Sequence, residues 1–98
     1  MPGEHDIYIF ETDTGGYDVY PKVAVFKNGH KVPVKFRNTA KVKAVLTFQA
    51  GLIASGPPHE VPGHGRGEFV LDSEADGVYD YTVMVDGEEA DPKIIVDP

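Results

Sequence analysis

Hydrophobic and polar residues alternate along most of this chain, with a period of two. Residues 32–36 carry Val, Val and Phe at every second position, separated by Pro and Lys. Residues 42–48 and 79–85 repeat the pattern, apart from one extra apolar residue in each, Val45 and Met84. Alternation of this kind gives one buried and one solvated face, as in half-buried antiparallel strands. No segment carries a convincing helical stripe, so the chain is predicted to be all-β.

Turn-forming residues separate these runs. Asn28 and Gly29 lie between residues 23–26 and 32–36. Because Asn-Gly readily adopts the positive φ angles of a tight turn, we predict a β-hairpin there. A polar turn at residues 13–16 separates predicted strands at residues 7–10 and 19–26, and further turns fall at residues 38–40, 72–77 and 86–91. The spacing predicts an antiparallel Greek-key β-sandwich of about seven strands, in one domain covering residues 1–98.

The alternation also predicts which side chains form the core. We expect the larger apolar residues of each strand to face inward. The predicted core contains Val25, Val32, Val34, Phe36, Leu46, Phe48, Phe69, Leu71, Tyr79, Tyr81, Val83 and Val96.

Composition narrows the functional classes. The net charge of −7 argues against nucleic acid as a partner, because phosphate binding needs an excess of Lys and Arg. No apolar run approaches the length of a membrane span, so no membrane contact is expected. The chain has no cysteine and therefore no disulfide. The first residues lack the basic and apolar parts of an export signal, so cytoplasmic residence is the default expectation, with the periplasm or the extracellular space expected if the chain has been trimmed.

The charges are unevenly distributed. Seven of the nine basic residues lie between Lys22 and Lys43, where there is no acid, and ten of the sixteen acids lie between Glu68 and Asp97. We interpret this as complementary charge on neighbouring strands. A dipolar surface that steers a partner is the alternative.

Two segments resemble the ligand-bearing regions of plastocyanin-like cupredoxins. Residues 34–48 resemble the strand and loop that carry the first copper-binding histidine, with Asn38 and Phe48 at matching positions and Ala44 where that histidine is expected. Residues 77–83 resemble the Gly-x-Tyr-x-aromatic-x-Cys run, with Val83 in place of the cysteine. The resemblance places the second histidine near Asp86 and the methionine near Ala90 or Asp91.

A type-1 copper site needs two imidazoles and a thiolate, with a weak axial ligand. None of these groups stands at the positions given by the resemblance. The resemblance therefore implies a cupredoxin-like sandwich without type-1 copper, and we expect no cofactor. An immunoglobulin-like domain is the rival, because residues 72–79 also fit an acidic turn followed by a tyrosine corner.

The longest irregular segment, residues 51–66, contains His59 and His64 with Glu60 between them. Imidazoles and a carboxylate are metal ligands, so a relocated metal site is an alternative prediction, and His5 is its candidate third histidine. The spacing matches no known metal motif. Two solvated loop histidines are the competing interpretation.

Other candidate chemistry is sparse. Residues 72–77 open like a calcium-binding loop, but Val83 occupies the position where that loop needs a glutamate. The chain has no tryptophan, so a carbohydrate-binding module would require Tyr8, Tyr17 and Tyr20 to share one face. No nucleophile elbow or phosphate-binding loop is present, and we predict no catalytic residues.

These observations lead to a functional hypothesis. We predict a non-catalytic binding module that contacts an unknown protein partner, or a second copy of itself, through strand edges or residues 51–66. The relocated histidine site and the carbohydrate-binding module are the alternatives.

Overall fold

A computed structural model describes residues 6–27, 30–54, 56, 59–72 and 76–97 of the chain. These residues form ten strands in two packed sheets. The strands are β1 (Asp6–Glu11), β2 (Tyr17–Tyr20), β3 (Val23–Lys27), β4 (Val32–Asn38), β5 (Ala44–Phe48), β6 (Glu60–Val61), β7 (Gly65–Leu71), β8 (Gly77–Val85), β9 (Glu88–Ala90) and β10 (Lys93–Asp97). The all-β prediction is confirmed. The strand count exceeds the predicted seven chiefly because β6 and β9 are too short to show alternation.

The first sheet has the order β2-β1-β4-β7, and the second has the order β3-β10-β8-β5-β6 with β9 also paired to β8. The sheets are mixed, whereas purely antiparallel sheets were predicted. Strand β1 runs parallel to β4, and β3 runs parallel to β10. Alternation along a strand is the same in both kinds of pairing, so the sequence pattern could not reveal the difference.

The chain passes from one sheet to the other at Pro21. The sequence pattern placed residues 19–26 in one strand, but β2 ends at Tyr20 in the first sheet and β3 begins at Val23 in the second. The Tyr20–Pro21 peptide bond is cis. Two short strands therefore replace the single predicted one.

The hairpin predicted at Asn28 and Gly29 is wrong as a pairing. Strands β3 and β4 lie in different sheets, so they are not hairpin partners. Asn28 and Gly29 themselves lie outside the described residues. The physical reason for the error is that Asn-Gly favours a reversal of the chain but does not choose the partner of each flanking strand.

The core lies between the two sheets, and most of the predicted core residues are buried there. Val32 and Phe48 are partly buried, and Val25 is 53% exposed. In β3 the inward positions are Ala24 and Phe26, so Val25 points away from the core. The larger side chain at position 25 suggested the opposite orientation, and that prediction is wrong.

Aromatic rings fill one part of this core. The Phe36 ring lies at centroid distances of 5.7 Å from Phe69 and 6.0 Å from Tyr81, in edge-to-face geometry. Phe48 stacks on Tyr81 at 5.4 Å. Such offset and edge-to-face pairs contribute beyond the area that they bury. The aromatic cluster thus joins β4 and β7 of the first sheet to β5 and β8 of the second.

Tyr81 carries its hydroxyl into this apolar environment. Burial raises the pKa of that phenol above its ordinary value of 10.0, and the described residues offer the hydroxyl no hydrogen-bond partner. Above pH 10 the unfolded chain loses the Tyr81 proton while the folded chain keeps it. We therefore expect Tyr81 to lower the free energy of unfolding by about 1.4 kcal/mol per pH unit above pH 10.

The Tyr81→Phe variant isolates this contribution. Urea titrations at pH 8, 10 and 11 should show a difference between wild type and variant that grows above pH 10 in favour of the variant. Other groups titrate equally in both proteins, so only the difference is informative. Parallel pH dependence of the two proteins would contradict the prediction.

Candidate functional site

The positions that the resemblance assigns to copper ligands lie on neighbouring strands of the second sheet. Ala44 on β5 is paired with Val85 on β8, and Leu46 is paired with Val83. Ala44 and Val83 are therefore diagonal neighbours on the same inner face. Both are buried, at 0% and 1% exposure.

Aliphatic side chains surround these two positions. Val61 on β6 is paired with Ala44, and Ala90 on β9 is paired with Val83. Ile9 and Val19 of the first sheet face Val83 and Val85, and the gap between them has no room for a water molecule. This end of the sandwich is consequently a closed part of the hydrophobic core.

Asp86 has a different role from a ligand. Asp86 and Gly87 are the only residues between the paired Val85 and Glu88, and both have positive φ angles, 51° and 81°. This is the backbone of a tight hairpin turn, for which Asp-Gly is a preferred sequence. The turn leaves Asp86 exposed, as Asp91 is. The residues at all these positions lack the imidazoles and thiolate of type-1 copper, so they do not fit that centre.

Asn38 organises the loop that leads from β4 to β5. Its side-chain Nδ2 donates to the carbonyl oxygens of Val42 at 2.8 Å and Val61 at 3.3 Å. Its Oδ1 accepts from the backbone N–H of Ala40 at 3.0 Å. The residue is 2% exposed. The sequence analysis named Asn38 only because it matches the cupredoxin pattern. The structure shows that its buried amide holds the loop through these three hydrogen bonds.

The two loop histidines occupy different surroundings. The His59 ring is partly buried and meets Phe48 and Phe69 edge-on at centroid distances of 5.1 and 5.4 Å. His64 is exposed, has a φ angle of 53°, and donates its backbone N–H to the Ala40 carbonyl oxygen at 2.8 Å.

The separation of His59 and His64 can be estimated from their positions along strand β7. His59 packs at Phe69, whereas His64 immediately precedes Gly65, four positions earlier on that strand. Those positions are roughly 13 Å apart along the strand. The structure therefore does not bring His59 and His64 together, and His5 lies outside the described residues.

Glu60, the carboxylate between these histidines in the sequence, has another partner. Glu60 forms an ion pair with Lys43 at 3.4 Å. Among the described residues there is no group of three or more His, Cys, Asp or Glu side chains that could hold a metal ion. The relocated site remains a prediction that depends on a direct metal-binding measurement.

The calcium-like segment is described only in part, since residues 73–75 lie outside the described ranges. Asp72 approaches the Nδ1 atom of His30 at 3.6 Å and donates its backbone N–H to the Leu52 carbonyl oxygen at 3.0 Å. These contacts tie the start of the segment to neighbouring loops.

The tyrosines divide between two faces. Tyr8 on β1 and Tyr20 on β2 are cross-strand partners on the outer face of the first sheet, where they are 37% and 68% exposed. Tyr17 packs against the core instead. Desolvation, followed by the negative charges of Glu11, Asp86 and Glu88, raises the pKa of the Tyr17 phenol. Of the three tyrosines named from sequence, only Tyr8 and Tyr20 share a surface.

Comparison with known proteins identifies the fold. The chain is similar to a purple cupredoxin from Nitrosopumilus maritimus, with a TM-score of 0.60, 18% sequence identity, and coverage of 94% of this chain and 98% of that one. It is also similar to the reduced Cu(I) form of an amicyanin mutant, with a TM-score of 0.62, 15% identity, and coverage of 94% and 82%.

A multicopper oxidase from Pseudomonas thermotolerans aligns with a TM-score of 0.67 and 11% identity, over 94% of this chain but only 28% of the oxidase chain. Neither a protein-family model nor a curated protein sequence matches the chain significantly. The fold is therefore cupredoxin-like, as the sequence resemblance implied. The described residues contain no helix that could cross a membrane.

Proposed function

We propose that this cupredoxin-like sandwich is a metal-free, non-catalytic interaction module. The observation that carries the proposal is the aliphatic packing around Ala44 and Val83, both of which are fully buried. A copper centre would need polar or sulfur donors converging on this space, and apolar side chains fill it.

The proposed contact surface is the outer face of the second sheet. Five of the seven large hydrophobic residues that are exposed in the described part of the chain lie there: Val23, Val25, Val45, Val78 and Met84. Val25, Ile95 and Val78 form a continuous row across β3, β10 and β8. We call this row the valine row. Clustered apolar side chains on a soluble domain are typical of contact sites.

Strand β3 adds an edge to this surface. It is the terminal strand of the second sheet and pairs only with β10 among the described strands. An edge strand offers unpaired backbone groups to an incoming strand. The valine row and the β3 edge together favour a protein partner or a second copy of the chain.

Native mass spectrometry tests both parts of the proposal on protein purified without chelator or affinity metal. We expect the mass of the chain without a transition metal, and a dimer that becomes populated as the concentration rises. Val25→Lys should shift this equilibrium to monomer. Val70→Lys, the same change on the outer face of the first sheet, is the matched control and should retain the dimer.

Two results would each contradict one part of the proposal. One tightly bound copper ion per chain would overturn the metal-free assignment. A monomer at every concentration would exclude self-association and direct the search to a heterologous partner on the valine row.

A further inference from the structure

Four exposed side chains form a row across the outer face of the first sheet. Tyr20 is paired with Tyr8, Tyr8 is paired with Arg37, and Arg37 is paired with Arg66. Directly opposed residues point to the same side of a sheet, so all four side chains project from one surface. We call them the Tyr–Arg row. It crosses β2, β1, β4 and β7 and is roughly 14 Å long at the usual strand spacing.

The charge arrangement in this row is unfavourable for stability alone. Arg37 and Arg66 are directly opposed, and like charges in that position destabilise a sheet. Asp6 accepts a hydrogen bond from Arg37 Nε at 3.1 Å, which offsets one of the two charges. Arg66 has no ion-pair partner within the described ranges. One guanidinium therefore remains available to an anion.

The next row on the same face has the usual compensated arrangement. Asp6, Lys35 and Glu68 are successive partners across β1, β4 and β7, so the cation lies between two acids. Because Asp6 also accepts the hydrogen bond from Arg37, the two rows together hold three cations against two acids, an excess of one positive charge. A concavity of about 450 Å³ lies between the two rows, and its charged lining consists of Arg37 and Arg66 from the Tyr–Arg row and Asp6, Lys35 and Glu68 from the next row. This volume is within the range of small-ligand sites.

We propose that the Tyr–Arg row binds an oligosaccharide that carries carboxylate groups, laid across the strands. The apolar face of a pyranose ring stacks on an exposed aromatic ring, and Tyr8 and Tyr20 offer two such rings side by side. The planar guanidinium forms paired hydrogen bonds with a carboxylate, which is the role of Arg66 beside Arg37. An acidic oligosaccharide offers both groups, a ring face for the tyrosines and a carboxylate for the arginines.

The order of the four side chains, two aromatic rings followed by two guanidinium groups, suits a sugar chain. A sugar chain can place a carboxylate where the arginines lie and an uncharged ring face over the tyrosines. The site goes beyond the proposed function, because it lies on the sheet opposite the valine row and takes a different class of ligand.

Isothermal titration calorimetry with three probes of equal length tests this assignment: hexa-galacturonate, cellohexaose and a hexamer of thymidylate. We expect hexa-galacturonate to bind at least about tenfold more tightly than cellohexaose, from its charge-assisted hydrogen bonds, and no more weakly than the thymidylate hexamer. Arg66→Ala and Tyr20→Ala should each weaken that binding by about tenfold. Tyr20→Phe keeps the ring and should bind like wild type.

Lys27→Ala is the charge-matched control, because Lys27 is an exposed cation on the second sheet. It should leave binding unchanged. Equal affinity for cellohexaose, stronger binding of the thymidylate hexamer, no binding of hexa-galacturonate, or an unaffected Arg66→Ala variant would each overturn the proposal. Val25→Lys should not alter sugar binding, so a failure here and a failure of the metal-free interaction module are distinguishable.

Discussion

Replacing Phe36 with alanine is expected to lower the free energy of unfolding by about 3–5 kcal/mol. Phe36 is completely buried and packs edge-on against Phe69 and Tyr81, which belong to opposite sheets. Truncation removes the transfer free energy of the ring and leaves a cavity that neighbouring strands cannot close. Since small domains have a free energy of unfolding of only about 5–15 kcal/mol, this loss would remove a large part of it.

Guanidinium chloride titration at pH 7 measures this loss, and an unchanged dependence on denaturant would show that the unfolded states are comparable. Val45→Ala serves as the control, because Val45 is on the outer face and 38% exposed. We expect the control to change stability by less than about 0.5 kcal/mol. A loss below about 1 kcal/mol for Phe36→Ala would show that the aromatic cluster does not hold the two sheets together.

Replacing Asn38 with alanine is expected to lower the free energy of unfolding by about 2–4 kcal/mol. The substitution removes the two hydrogen bonds donated to Val42 and Val61 and the one accepted from Ala40. These backbone groups then lose their partner in a buried environment, which costs more than the net value of the bonds.

Gln49→Ala is the matched amide control. The Gln49 side chain also accepts from a backbone N–H, that of Asp80 at 3.1 Å, but at an exposed position. Its loss should cost about 0.5 kcal/mol or less, because water replaces the bond. Hydrogen exchange in residues 40–44 and 61–64 should accelerate in the Asn38 variant alone. Equal effects of the two substitutions would contradict the role assigned to the buried amide.

The local pattern of the sequence predicted much of the architecture. Residues 79–85 alternate except at Met84, and the structure buries Tyr79, Tyr81, Val83 and Val85 on the inner face of β8. The same segment carried the resemblance to cupredoxins, and the comparisons with solved structures support that fold. Alternation is visible in sequence because a strand exposed to two different environments selects two kinds of side chain.

The alternation pattern could not predict which distant segments pair with each other. Asn28 and Gly29 suggested a hairpin, yet β3 pairs with β10 at the other end of the chain. The orientation of Val25 was misjudged for a related reason. Alternation defines two faces of β3 but does not say which one the opposite sheet covers, and Ala24 and Phe26 occupy that side.

The candidate sites also have some features that residue type predicts and others that depend on which strands are neighbours. The lack of copper ligands could be predicted from the residue types of Ala44 and Val83, because the ability to bind a metal is a property of the residue type. Whether His59 lies near His64, or Tyr8 near Tyr20, depends on which strands are neighbours. The structure separates the histidines and aligns the tyrosines with Arg37 and Arg66.

The sequence by itself determined that the chain forms strands, that most of the larger side chains of those strands meet in one core, and that type-1 copper ligands are missing from their positions. These properties follow from residue type and local spacing. The tertiary structure alone decided the parallel pairings, the exposed valine row and the Tyr–Arg row. Those features arise where strands distant in sequence are brought side by side, and the free energy that selects the neighbours comes from burial of the whole core.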